Sequence, residues 1–153
     1  MPKLTGKIGE ILKLFDEWND ALQSGDPDRI VEKYAANAIL LPTLSPVVRH
    51  NHSEIRNYFQ KVILPQKPSG TIIKYNVRLY GDIAINSGVY AFTLTSHPEP
   101  LPARYTFVYK WFGNRWLIVE HHSSLMPEDK KASPKGRAAA GVKDWGTKRK
   151  RTS

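Results

Sequence analysis

TIIKYNVRLYGDIAINSGVYAFTL, residues 71–94, is where the chain changes period. Upstream, apolar residues return every three or four positions. Here they alternate or run in short β-branched and aromatic blocks, interrupted at Gly81. ARYTFVYKW (103–111) and RWLIVEHHS (115–123) repeat the pattern, so four strand-forming runs follow one another. FGNR, 112–115, joins the last two as a tight hairpin, with Gly113 and Asn114 available for positive φ. HPEPLP, 97–102, is a longer connection. This succession predicts a four-strand meander.

Working back from Thr71, helices come first. Ile8, Ile11, Leu12, Phe15, Trp18 and Leu22 form one apolar stripe on a long amphipathic helix, which SGDPD (24–28) stops. Asp26 suits an N-cap and Pro27 a first helical position, so a short helix is expected from Pro27 to about Tyr34. AILLPT, 38–43, reads as a short strand and LSPVVRHNH, 44–52, as a loop. Ser53 can cap a third helix with Ile55, Tyr58, Phe59 and Val62 on one face. Helices before a meander give an α+β fold, with helices packed on one face of a curved sheet. There is no internal repeat.

The bulk numbers fit one domain. The chain has 153 residues, 41% hydrophobic and 24% charged, enough for a sizeable core. With no cysteine, disulfides, thiolate metal sites and thiol catalysis are excluded. Lys, Glu and Asp interrupt the apolar residues of MPKLTGKIGEILKLFDEW, so neither a signal peptide nor a membrane span is expected. Of the +9 net charge, residues 129–153 hold nine Lys and Arg against Asp129 and Asp144, which accounts for +7. The folded part, 1–128, is therefore nearly neutral, and no nucleic-acid role is expected for it. Residues 129–153 lack apolar periodicity and read as a basic, flexible tail. KRKR (148–151) is a solvated cluster, and Trp145 offers a docking anchor across a subunit interface.

EHHSSLMPE, 120–128, closes the last apolar run with an unusual density of protonatable and hydroxyl side chains. In strict alternation Trp116, Ile118, Glu120, His122 and Ser124 share one face of the strand. Leu117, Val119, His121 and Ser123 share the other. One face of a bent sheet looks into a pocket, so one set forms a site and the other meets solvent or a partner. Thr43 follows ILLP and fits a strand-end cap or a pocket wall equally. Tyr58 lies on the apolar stripe of the third helix and needs a hydroxyl partner.

The element order resembles the nuclear transport factor 2-like fold, a cone of helices on a strongly bent, mainly antiparallel sheet. WLIVEHHSSLMPE, with ILLPTLS and IRNYF upstream, resembles the association-domain family of calcium/calmodulin-dependent protein kinase II. Within that family it looks most like the iota-class carbonic anhydrases, which carry an HHHSS-x-MPE type ending. The first histidine of that triplet is Glu120 here. The resemblance implies a carbonic anhydrase domain over 1–128, a cytoplasmic protein and a homodimer, acting on carbon dioxide and bicarbonate. It places the catalytic pair at His122 and Ser124, with Thr43 and Tyr58 in the same pocket. His121 is then a histidine of the partner face or a structural one. Ser45, Arg49, Tyr105, Tyr109, Glu120 and His121 form a second tier of substrate-binding candidates, Arg49 as an anion holder at the pocket mouth.

The chemistry asked of these residues is specific. Hydrating carbon dioxide without a metal needs a positioned base and a cage of donors. His122 suits the first role and the three hydroxyls the second. No metal cofactor is expected. The alternative, zinc or manganese, would draw on His50, His52, Glu120 and His122, although their spacing matches no closed site. Two other readings compete. One is a non-catalytic assembly and ligand-binding domain. The other is an isomerase or cyclase using Glu120 as its base in a steroid-sized cavity.

Overall fold

The structure is a computed structural model that describes residues 4–127; the expected tail, with KRKR and Trp145, lies outside the described residues. Helix α1, Leu4–Ser24, buries Ile11, Phe15, Trp18 and Leu22 along the predicted stripe. It ends where Gly25 takes φ +76°, a left-handed conformation that glycine adopts without steric cost. Asp26 then caps α2, Pro27–Val31, accepting from the Asp28 backbone N–H at 2.9 Å. Asp26→Ala is expected to lower stability by about 1 kcal/mol, read as a shift in urea midpoint at constant slope.

Two boundaries move from their expected places. Helix α2 stops at Val31, and strand β1 runs Tyr34–Leu41 rather than 38–43, because Tyr34 is already paired with Ile118. The cap of α3, His52–Tyr58, is Asn51 rather than Ser53. The Asn51 side chain accepts from the Glu54 N–H at 2.9 Å, satisfying a first-turn donor. The helix continues through a π turn, Phe59–Ile63, and a 3-10 turn, Leu64–Gln66.

The meander forms as read: β2 Ser69–Tyr80, β3 Ile83–Thr93, β4 Leu101–Trp111 and β5 Trp116–Leu125, paired antiparallel in sequence. Strand β1 adds in parallel beside β5, giving the order β1-β5-β4-β3-β2. The α+β architecture is thus a curved five-strand sheet with helices on one face. In FGNR, Gly113 has φ +94° and the Phe112 N–H meets the Arg115 carbonyl.

Two irregularities shape the sheet. In β5, Ile118 pairs with Tyr109 but Glu120 pairs with Val108, so Val119 is one residue too many on that strand. In β2, Ile72 pairs with Tyr90 and Lys74 with Val89, leaving Ile73 as the extra residue. Such bulges bend a strand and reset which face its side chains occupy. On the inner face, Trp18 packs edge-on against Phe107 and Phe92, with ring centroids 5.5 and 6.0 Å apart. Strand β4 turns Tyr105, Phe107 and Tyr109 inward, and Arg104 and Thr106 lie on its other face.

Candidate functional site

The Val119 bulge decides which half of EHHSSL enters the interior. Ile118 faces the core, and without the extra residue Glu120 and His122 would follow it. Instead His121 (2% exposed) and Ser123 (8%) are buried, while Glu120 and His122 are exposed and Ser124 is half-buried. The expected in-facing pair, His122 and Ser124, is therefore replaced by His121 and Ser123. Strict alternation failed by one position because the strand carries an extra residue.

His121 sits between two tyrosines. Its Nδ1 is 2.9 Å from the Tyr34 hydroxyl, which also accepts from Trp18 Nε1 at 3.1 Å. Its Nε2 is 3.2 Å from the Tyr90 hydroxyl, and Tyr90 donates to Ser123 Oγ at 2.6 Å. The ring stacks on Phe107 with centroids 4.0 Å apart. Burial, and secondarily the nearby His122, lower the imidazole pKa to about 3, so His121 is neutral at physiological pH. Burial raises the Tyr34 and Tyr90 hydroxyls well above their ordinary range, so both stay protonated.

A cavity of about 40 Å³ opens beside this chain, lined by Trp18, Phe59, Tyr90, Phe92, His121 and Ser123 among others. At ~10–15 Å³ per water it has room for about three waters, or one molecule of three or four heavy atoms. A steroid-sized ligand does not fit, and Glu120 stands outside, so the isomerase reading loses both its space and its base.

Thr43 and Tyr58 both line this cavity, with His121 and Ser123 where His122 and Ser124 were expected. The hydroxyl oxygens of Thr43 and Ser123 are 2.5 Å apart, and Tyr58 donates its proton to the Thr43 carbonyl at 2.7 Å. Burial raises the Tyr58 hydroxyl far above its ordinary range. Pro42, Thr43, Leu44 and Ser123 line both this cavity and an open hollow of about 400 Å³, which His122, Ser124 and Ser45 also line. Leu44 there holds φ +69°, uncommon for a side chain of its size.

Three of the remaining residues are used elsewhere. Arg49 bonds the Glu54 carbonyl, Asn57 and Ser45, and lies 5.7 Å over the Tyr58 ring, so its guanidinium braces a loop instead of waiting for an anion. Tyr105 donates to Asn86 at 2.8 Å, and burial pushes its pKa up to about 12. Tyr109 lines a different hollow beside Trp111 and Trp116. The alternative metal donors do not converge. His50 contacts Glu54, His52 contacts the Tyr34 carbonyl, and among the described residues no three His, Asp or Glu side chains form a ligand cluster.

Sequence reasoning missed Tyr34, Tyr90 and Trp18 as site residues. Their signal was present but ambiguous: each is an aromatic side chain with a polar tip at a core position, where a hydroxyl or indole N–H must find a partner.

The family model of the calcium/calmodulin dependent protein kinase II association domain matches residues 7–127. A Xanthomonas campestris structure assigned to that association domain is similar at 46% identity, over 78% of this chain and 88% of that one, with a TM-score of 0.75. Two others share the fold alone. One is a nuclear transport factor 2-like protein of unknown function from Pseudomonas putida, with 18% identity over 84% of this chain and 92% of that one and a TM-score of 0.70. The other, from Streptomyces avermitilis, is a candidate dehydratase of the nuclear transport factor 2-like family, with 13% identity, 82% and 100% coverage and a TM-score of 0.72. A comparison with curated proteins gives no match. No helix among the described residues is long and apolar enough to cross a membrane. Residues 7–127 carry the family pattern through the whole cone, from α1 to the end of β5, and the chain belongs to the calcium/calmodulin dependent protein kinase II association domain family.

Proposed function

We propose that the buried cavity interconverts carbon dioxide and bicarbonate, with the Ser123–Thr43 hydroxyl pair as the polar end of an apolar chamber. The observation that carries this reading is the match of size and chemistry. The space suits three or four heavy atoms, its walls are aromatic and aliphatic, and its hydroxyls converge at one point. Carbon dioxide is small and apolar, and develops negative charge on oxygen only as water attacks. A hydroxyl donor fixed at that oxygen favours the transition state over the ground state.

In the forward direction a water lone pair forms the new C–O bond, one C=O π pair moves onto oxygen, and the water releases a proton. His121 does not store that proton, because burial keeps its imidazole neutral. The proton leaves past Thr43 toward the outer hollow, where His122 is exposed. The donor set of the cavity does not suit zinc: it offers one imidazole, and both of its nitrogens face tyrosine hydroxyls. The steps are accordingly assigned to the hydroxyls.

The test is stopped-flow carbon dioxide hydration on chelator-treated full-length protein, beside Ser123→Ala and His122→Ala. Activity should survive chelation, fall at least tenfold in Ser123→Ala, and fall less than threefold in His122→Ala. Activity that requires added zinc or manganese would overturn the hydroxyl mechanism. No activity under any condition would leave the second reading, an assembly domain. One observation favours that reading: Ile73 (56% exposed) and Tyr75 (51%) stand on the free edge strand β2, a surface suited to a second copy.

A further inference from the structure

Resting on that reading of the cavity, we infer that Trp18, Tyr34, His121 and Tyr90 form a one-way hydrogen-bond relay. Its direction is set by the indole of Trp18, and it leaves one hydroxyl proton of the Ser123–Thr43 pair free to donate to the ligand. None of the four is a catalytic residue in this scheme; each acts through the next as a positioning residue.

The direction follows from counting protons. An indole N–H can only donate, so Trp18 Nε1 gives its proton to the Tyr34 oxygen. Tyr34 is 1% exposed, and the other partner of its hydroxyl is His121 Nδ1. If Nδ1 carried a proton and donated to Tyr34, the Tyr34 oxygen would accept twice and its own buried proton would face no acceptor. A buried donor with no acceptor loses its full solvation without compensation. Tyr34 therefore donates to Nδ1. His121 is neutral, so its single N–H is on Nε2 and points at the Tyr90 oxygen. Tyr90 must then spend its proton on Ser123 Oγ.

At Ser123 the count ends with a surplus. The Ser123–Thr43 pair receives one hydrogen bond from Tyr90 and makes one between its two hydroxyls. Two hydroxyls carry two protons, and the bond between them consumes one. Whichever donates to the other, one O–H is left over. Both residues line the cavity and also the outer hollow, Ser123 is the more buried of the two, and Tyr58 cannot compete because its proton is committed to the Thr43 carbonyl. The leftover donor is strengthened by the aligned dipoles behind it. The cavity thus asks for an acceptor at this point: a carbonyl or carboxylate oxygen on a ligand of a few heavy atoms.

The relay is tested in full-length, 15N-histidine-labelled protein by long-range proton–nitrogen correlation, which reads the tautomer of His121 directly. The expected result is the Nε2–H form across pH 6–8. An Nδ1–H form or an even mixture would overturn the relay, whatever the enzyme activity proves to be. Two variants separate direction from packing. Tyr34→Phe removes the donor to Nδ1 and should keep the Nε2–H form, because an Nδ1–H would face only the phenyl ring, while the Nδ1 resonance moves downfield with its hydrogen bond lost and kcat falls about tenfold, with KM changing less than twofold. Tyr90→Phe should lower kcat similarly but leave the Nδ1 resonance in place, because Tyr34 still donates to it. An Nδ1 resonance unmoved in Tyr34→Phe, or moved equally by both, would show that the tyrosines serve only as packing. If the protein hydrates no carbon dioxide, the variants are read by titration with 13C-bicarbonate. Affinity at least fivefold weaker in both then supports the relay, and unchanged affinity overturns it.

Discussion

Gly88→Ala is expected to cost about 3 kcal/mol or more and to lower the melting temperature by about 10 °C. The cause is a collision with backbone. A Cβ at position 88 would lie 2.0 Å from the Lys74 carbonyl oxygen and 2.8 Å from its carbon. A side chain in the way could rotate; a carbonyl in the middle of a ladder cannot move without breaking pairs. The approach is this close because the Ile73 bulge brings the Lys74–Tyr75 stretch over Gly88, which is paired with Tyr75 on one side and Tyr105 on the other. The Lys74 carbonyl also faces the Tyr105 hydroxyl at 3.4 Å, and Tyr105 stacks on Tyr90 with centroids 4.7 Å apart. Displacing Lys74 therefore disturbs the tyrosines behind the cavity. Gly9→Ala is the control: a Cβ there meets nothing within 4 Å on helix α1, and the change should stabilise by about 0.5–1 kcal/mol. A Gly88→Ala melt within 2 °C of the parent would mean that β2 does not bulge over Gly88 in solution.

Bulges also explain where sequence reading stops in this chain. The helical stripe from Ile11 to Leu22, the four β runs and the FGNR hairpin were legible, because each rests on local periodicity and turn chemistry that tertiary packing only reinforces. Pairing of β1 with β5 was not legible. Parallel partners far apart in sequence leave no local mark. The site was half legible. EHHSSL announced itself by composition, and Thr43 and Tyr58 were placed at the same pocket. The choice between His121/Ser123 and His122/Ser124 depended on parity along one strand. A single extra residue, Val119, inverts that parity. Nothing about Val119 sets it apart from Val108 or Val89 in sequence; only the register against β4 and β1 reveals it. Tyr34 and Tyr90 were invisible as a pair for the same reason, since they meet only across His121.

Stability is expected to fall as pH drops from 6.5 toward 4.5, by about 2–3 kcal/mol, with His121 as the source. The sign follows from where the proton binds. An unfolded histidine takes a proton near pH 6.5. In the folded chain the His121 imidazole resists it down to about pH 3, because Trp18, Phe107, Tyr34 and Tyr90 surround it and no carboxylate among the described residues faces it. Above pH 6.5 neither state is protonated and stability is whole. Between 6.5 and 3 the unfolded state alone binds the proton, so each pH unit removes about 1.4 kcal/mol, up to about 5 kcal/mol in all. The upper part of this range is the clean window. Further down, protonation of carboxylates such as Glu54 and Asp82, both held below their ordinary range by His50 and Lys110, adds its own loss. Urea unfolding at half-unit steps from pH 7 to 4.5 measures the slope. His121→Gln should flatten it while lowering stability at pH 7, since glutamine keeps polar contacts but has no proton to refuse. His122→Gln is the matched control on the neighbouring residue, whose side chain is exposed. A slope that vanished in His122→Gln and persisted in His121→Gln would mean that strict alternation holds after all. The bulge at Val119, and with it the cavity chemistry built on Ser123, would then be misplaced by one residue.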